Sequence, residues 1–184
     1  MAKHSGRSQA KVVMKNVQEK LMNTAFRRLR EQLPTIMGAA NDYARDEQTF
    51  GDMTGNWINS FGVALYRDGK CVAVANMSGE EDAPIRTTLI NDEVFPAGHH
   101  RFDGSVQQMT FEVGLSPEKM GSSRNYFANE EVLQWLSHSS TQQKGFSFRV
   151  VSVTEYHKQE ARNALFRLSD EMESRGGNIW HFHM

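Results

Sequence analysis

The sequence predicts one α+β domain: a long N-terminal helix and a C-terminal helix packed on a mostly antiparallel sheet with a central β-hairpin. Three stretches carry that expectation. Apolar residues recur every three or four positions from Val13 to Ala44, the spacing that lines one face of an α-helix. Asp68-Gly69 sits between two apolar runs, and this dipeptide suits a two-residue hairpin turn whose central residues both need positive φ. Ala161, Leu165, Leu168 and Met172 form a second helical stripe near the end of the chain.

Taken in order, residues 1–8 are polar and basic and read as a flexible arm. From Gln9, the residues Val13, Val17, Leu21, Met22, Phe26, Leu29 and Leu33 form one apolar stripe, continued by Ile36, Ala39, Ala40, Tyr43 and Ala44. The helix is expected to run to about Asp46 with a break near Pro34, which has no N–H to give the helix ladder. The turn formers Gly51, Asp52, Thr54, Gly55 and Asn56 end it. In the hairpin, a two-residue turn places Arg67 opposite Lys70, Tyr66 opposite Cys71, Leu65 opposite Val72 and Val63 opposite Val74. Val63, Leu65, Val72 and Val74 would then share one face, and Gly62, Ala64, Ala73 and Ala75 the other. Such a ribbon is marginal by itself, so the preceding helix is expected to cover it.

Residues 78–108 have no sustained period. They carry Pro84, Pro96, Gly98 and Gly104 and read as a long excursion, with a short strand at Thr87–Ile90. Met109, Phe111, Val113 and Leu115 alternate as a half-buried strand does. Asn129 is placed to cap a short helix, with Glu130 and Glu131 at its positive end and Val132, Leu133, Trp135 and Leu136 as its apolar side. Phe146 to Val153 is apolar on both faces, as a central strand would be. Gly176-Gly177 is expected to end the last helix, leaving residues 178–184 as a tail.

Composition narrows the function. The chain has 184 residues, a formal net charge of −1 and 39% hydrophobic residues, with a mean hydropathy of −0.59. A domain of this size can bury a real core, and the low apolar content suggests polar loops or surfaces covered in an assembly. Nothing global favours nucleic acid or an acidic membrane. Arg27, Arg28 and Arg30 lie near Glu31, Asp46 and Glu47 and read as a solvated helix face. Cys71 is the single cysteine, which excludes an internal disulfide and a multi-thiolate zinc site. Met1 to Lys20 has no apolar core run of a signal peptide, and no stretch has the length of a membrane span. The expected location is therefore the cytoplasm or a particle assembled there, without secretion.

The Asp52-x-Thr54-Gly55-Asn56 turn, entered from a long helix and followed by a strand start at Trp57 or Ile58, Ser60 and Phe61, resembles the tailed-phage head–tail joining family of neck and tail-completion proteins. A second point of resemblance is Glu155-Tyr156 at the end of a strand, with His157 where those proteins tend to carry Ala. The resemblance covers the first helix, the hairpin, the last strand and the last helix, and omits residues 78–108 and the Asn129 helix. It implies an α+β structural part of a virion, self-assembling and docking onto other neck and tail proteins, with no enzymatic activity and no cofactor.

Several chemical groupings compete with that reading. Glu155, His157 and Glu160 place a His between carboxylates, the makings of a general base or metal ligand, but no nucleophile or phosphate loop accompanies them. The tail offers His181 and His183 as a His-x-His pair, too few ligands alone for a structural zinc. The alternative function is accordingly a small metal-binding protein or enzyme using Glu155, His157, His181 and His183. His99-His100 point to opposite sides of an extended chain. If the tail is extended, Trp180, Phe182 and Met184 share one face, and such side chains favour interface cores. Self-association is the corresponding expectation, with the tail and the 78–108 excursion contributing.

Overall fold

The computed structural model describes residues 5–52, 55–78, 83–90, 110–115, 128–154 and 156–174. Among the described residues, eight regular elements follow in order: α1 (Ser5–Glu47), β1 (Phe61–Arg67), β2 (Lys70–Met77), β3 (Ile85–Leu89), β4 (Thr110–Leu115), α2 (Ala128–His138), β5 (Phe146–Ser152) and α3 (Lys158–Ser174). A short 3-10 turn, Ile58–Ser60, leads into β1. The strands form one sheet in the order β3-β2-β1-β5-β4. Three pairings are antiparallel. The fourth, β4 with β5, is parallel, and the chain between them passes through α2, since parallel neighbours require a long crossover. The α+β class and the central position of the hairpin are as expected.

The sheet is a middle layer. On one face, Leu29, Leu33, Ile36, Met37 and Ala40 of α1 and Ala161, Leu165 and Leu168 of α3 pack with Val63, Leu65, Phe148 and Val150. On the other, Val132 and Leu136 of α2 pack with Ala64, Tyr66, Val74 and Val151. Every residue of β1 is buried in consequence. Each large aliphatic side chain removed from water contributes roughly 1.5–3 kcal/mol before ordering costs.

Four local expectations need correction. The helix begins at Ser5, ahead of Gln9, and runs 43 residues without a break at Pro34. Pro34 is exposed while its neighbours Leu33 and Ile36 are buried, so the one carbonyl that Pro34 cannot serve can be hydrated from the solvent side. The hairpin register holds at Arg67↔Lys70 and Tyr66↔Cys71, then shifts to Leu65↔Ala73, Ala64↔Val74 and Val63↔Ala75. Val72 is the extra residue of a bulge. Because side chains alternate with period two, one inserted residue turns every later side chain over: Val74 joins the α2 face, and Ala73 and Ala75 join the α1 face. Small alanines opposite Val63 and Leu65 let α1 approach the sheet. Asn129 lies inside α2 rather than capping it. Its carbonyl accepts a hydrogen bond from Asn76 Nδ2 at 2.6 Å, and its own Nδ2 donates to the Ser78 carbonyl at 3.4 Å, so it ties the start of α2 to the end of β2. The strand expected at Thr87–Ile90 is β3, which starts two residues earlier at Ile85.

Candidate functional site

The residues singled out by the sequence fall into two groups in the structure, a polar turn at the root of the sheet and the hairpin tip. Asp52, Gly55, Asn56, Ser60 and Tyr156 lie in or beside the first. Asp68 and Gly69 form the second. Thr54, Glu155, Trp180, Phe182 and Met184 lie outside the described residues, as do His99, His100, His181, His183 and the Gly176-Gly177 stop.

At the root, the chain leaves α1 and must reverse into β1. The Asp52 carboxylate accepts the Ile58 N–H at 3.0 Å, and the Asp52 carbonyl accepts the Gly55 N–H at 3.3 Å. Gly55 has φ +69, a left-handed value that glycine adopts without steric cost. Ser60 is buried, and its hydroxyl donates to the Trp57 carbonyl at 2.7 Å. The Ser152 hydroxyl, 2.7 Å from Ser60 Oγ, then donates to Ser60, since each hydroxyl has a single proton. Ser152 Oγ in turn accepts the Thr154 N–H at 3.3 Å, and the Val153 N–H reaches the Ser60 carbonyl at 3.0 Å. This chain of bonds fastens the start of β1 to the end of β5, 92 residues apart in sequence. The turn motif is thus a clasp.

His157 belongs to the same clasp. Its ring stacks on Phe50 with centroids 3.4 Å apart and planes 8° from parallel. Its carbonyl accepts the Trp57 indole N–H at 3.4 Å and the Ala161 N–H at 3.1 Å. Its φ is +53, a left-handed conformation in which His is several-fold enriched over most residues. Nδ1 lies 3.6 Å from Glu160 Oε1. Trp57, buried, meets Phe50 and Phe61 edge-on at 5.1 and 5.4 Å. Nothing in the letters of Phe50 and Ser152 pointed to their grouping with Trp57, because they converge from separate segments. Tyr156, by contrast, is exposed. Among the described residues, no three His, Cys, Asp or Glu side chains come together as a metal site needs.

At the hairpin tip, Asp68 and Gly69 both have positive φ, 47 and 81, as the primed turn requires. The tip is held by the segment before β5. The Asp68 N–H donates to the Gly145 carbonyl at 2.8 Å, and the Gly145 N–H donates to Asp68 Oδ1 at 2.9 Å. The Thr141 N–H donates to the Gly69 carbonyl at 3.0 Å. Arg67, buried beside the tip, sets Nε 3.5 Å from Asp68 Oδ2 and lies over the Phe146 ring at 5.5 Å. Burial lowers its pKa against the opposing pull of Asp68. Burial pushes the Cys71 thiol up to about 12 and the Tyr66 phenol likewise to about 12. A thiol so far from ionisation is no nucleophile at neutral pH. The Tyr66 hydroxyl donates to the Leu136 carbonyl at 2.9 Å, anchoring the end of α2.

One exposed feature stands apart. Residues 10–17 of α1 are exposed on every side of the helix, and Val13, Met14 and Leu21 are 60%, 64% and 41% exposed. At about 100° per residue, Val13, Val17 and Leu21 point about 170°, 130° and 90° away from the mean direction of Leu29, Leu33, Ile36 and Ala40. The stripe expected to be continuous is therefore two stripes, and only the second packs on the sheet. No helix among the described residues is long and apolar enough to cross a membrane. Comparison with protein-family models, with curated proteins and with solved structures finds no match to this chain.

Proposed function

We propose that this chain is a structural protein of the phage head–tail joining type, a neck or tail-completion component that self-assembles and docks onto other virion proteins without catalysis. The observation that carries the reading is the projecting half of α1, which holds Val13, Met14, Val17 and Leu21 in solvent. An apolar row of this kind marks a protein–protein contact. The residue types that chemistry would use support it, since Asp52, Ser60 and His157 are engaged in the clasp. The order of elements adds the phage component of the proposal: a long helix, the Asp52–Asn56 turn, a central strand from Phe61, and a strand-to-helix junction at Tyr156. The mechanism is geometric. Identical subunits form a ring matched to a circular opening, which a closed cyclic assembly alone provides.

The test is genetic and microscopic. In the phage or prophage encoding this chain, its deletion is expected to leave filled heads and free tails that do not join, with joining restored by the gene in trans. Intact, infectious particles from the deletion strain overturn the proposal.

A further inference from the structure

We infer that the outer edge of β3 pairs antiparallel with the β3 edge of a second copy of this chain, about a two-fold axis at Thr87. The inference rests on the self-assembly reading and names one of its contacts. β3 is the end strand of the sheet, with β2 on its inner side. Two flanking bonds fix which of its backbone groups face β2. The Ile90 N–H reaches the Val72 carbonyl at 3.1 Å, and the Ser78 N–H reaches the Pro84 carbonyl at 2.9 Å. These continue the register of Thr88↔Val74 and Arg86↔Asn76, and in an antiparallel ladder such bonded residues alternate with residues that face outward. The N–H and C=O groups of Ile85, Thr87 and Leu89 therefore point away from β2. Among the described residues, no strand pairs with them. Arg86, Thr87 and Leu89 are exposed, Leu89 by 41%. An open row of backbone donors and acceptors is a template for another strand, and no Pro, Lys or bulge within β3 blunts it.

The order of residues in β3 selects a second β3 as the occupant, because the strand is complementary to itself. Pairing through the outward residues about Thr87 sets Ile85 opposite Leu89 of the other copy, and Thr87 opposite Thr87. Ile85, Thr87 and Leu89 lie opposite Met77, Ala75 and Ala73 of β2, which belong to the α1 side of the sheet. An apolar pair thus flanks a Thr–Thr pair on each side, and cross-strand pairs of these kinds stabilise a sheet. On the α2 side, Arg86 meets Thr88 of the other copy, so the one charge in the strand does not face its own kind. Slipping the strands by two residues in one direction sets Arg86 opposite Arg86, and like charges directly opposite are destabilising. A slip in either direction also loses one of the three bonded pairs. The axis stands perpendicular to the sheet, so the α1 layers of the two copies fall on the same side of one continuous sheet. A single strand edge is small beside the roughly 1,200–2,000 Å² of a stable complex, which makes this a reversible contact. It is also isologous and closes on two copies. A ring takes a second contact, and the projecting half of α1 is exposed elsewhere on the subunit.

Sedimentation velocity on the full chain, up to its solubility limit, tests this. The chain is expected to pass reversibly from monomer to dimer as concentration rises. Thr87→Pro removes an outward N–H and no bond to β2, so it should abolish the dimer with the urea midpoint of the dilute protein little changed. Thr88→Pro, whose N–H faces β2, should lower that midpoint. Thr87→Lys and Thr87→Glu each set like charges together on the axis and should each raise the concentration of half-association about fivefold. An equimolar mixture of those two proteins should associate again, which unfolding or lost solubility cannot mimic. Association that survives Thr87→Pro, or no recovery in the mixture, overturns this interface and leaves self-assembly standing. Association lost in a chain ending at Ser174 gives the edge to the tail and overturns the choice of occupant. Association lost in Val17→Ser with Leu21→Ser but kept in Thr87→Pro places the contact on α1 and overturns it as well. A chain monomeric at every concentration overturns the inference, while the joining role is judged separately on particles from the deletion strain.

Discussion

Gly69 shows how much a single residue can decide. Its φ of +81 already disfavours any side chain, and a Cβ there would lie 2.2 Å from the Thr141 carbonyl oxygen, a backbone atom that cannot yield without moving the segment before β5. Gly69→Val combines backbone strain with a clash and is expected to cost roughly 3 kcal/mol, read as a lowered urea midpoint. An unchanged midpoint would count against the turn geometry. Cys71 and Tyr66 make a prediction of a different kind. Both are raised to about 12 from ordinary values of 9.0 and 10.0. In the unfolded chain the thiol loses its proton from about pH 9, while the folded thiol keeps it to about pH 12. The unfolded state thus binds fewer protons in that window, and stability falls as pH rises through it. Below pH 9 this contribution is fully present. The urea midpoint of the native chain should begin to fall near pH 9, and that of Cys71→Ala nearer pH 10, where the phenol takes over. Identical alkaline profiles for the two proteins would show that the thiol is not held in its protonated form.

Among the elements, α2 depends most on what lies beneath it. A Cβ on Gly62 would sit 2.7 Å from Val132 Cγ2 and 2.9 Å from Leu136 Cδ1. Gly62→Ala therefore lifts α2 from β1. Overpacking of this sort costs about 1–3 kcal/mol, against a gain of about 0.4–1 kcal/mol from restricting the unfolded chain. A net loss is expected in urea denaturation, and a stabilised protein would mean that α2 does not rest on Gly62. The clasp is the other element-level device. Removing the Asp52 carboxylate by Asp52→Ala leaves the Ile58 N–H without its acceptor and is expected to cost about 1 kcal/mol, measured by thermal or urea unfolding. An Asp52→Asn protein, which keeps an acceptor oxygen, should recover most of that loss.

The whole molecule divides into a packed body and a helix that extends from it. Since residues 10–17 are all exposed, a chain starting at Leu21 should unfold at the same urea concentration as the full chain when both are dilute. A large loss of stability would show that the projecting half supports its own domain. The same division explains the low apolar content. The body has a two-sided core, with α1 and α3 on one face of the sheet and α2 on the other, while the projecting half of α1 presents the row Val13, Val17 and Leu21 and the outer face of α3 presents Phe166. Tyr156 and Phe166, exposed by 75% and 62%, add to the surface on the α3 side.

Local periodicity was sufficient to place α1, the hairpin, the Asn129 helix, β5 and α3 in the sequence, because each is a repeat of 3.6 or 2 residues read over a short window. The buried stripe Ala161, Leu165, Leu168 and Met172 was legible for that reason, as was the two-sided burial of β5. What depended on meetings between distant residues was not legible. The bulge at Val72 left no mark in the letters and reversed the faces of Val74, Ala73 and Ala75. The parallel pairing of β4 with β5 was equally invisible. The Ser60–Ser152 bond and the Phe50–His157 stack join segments about 100 residues apart, so chain order carried no trace of either. The apolar stripe of α1 read as continuous, but a sequence stripe does not say where the neighbouring surface ends. Only the tertiary structure decided that, because Leu29 joins the core while Leu21 stays 41% exposed, leaving the same residue types buried on one part of a helix and in solvent on the other.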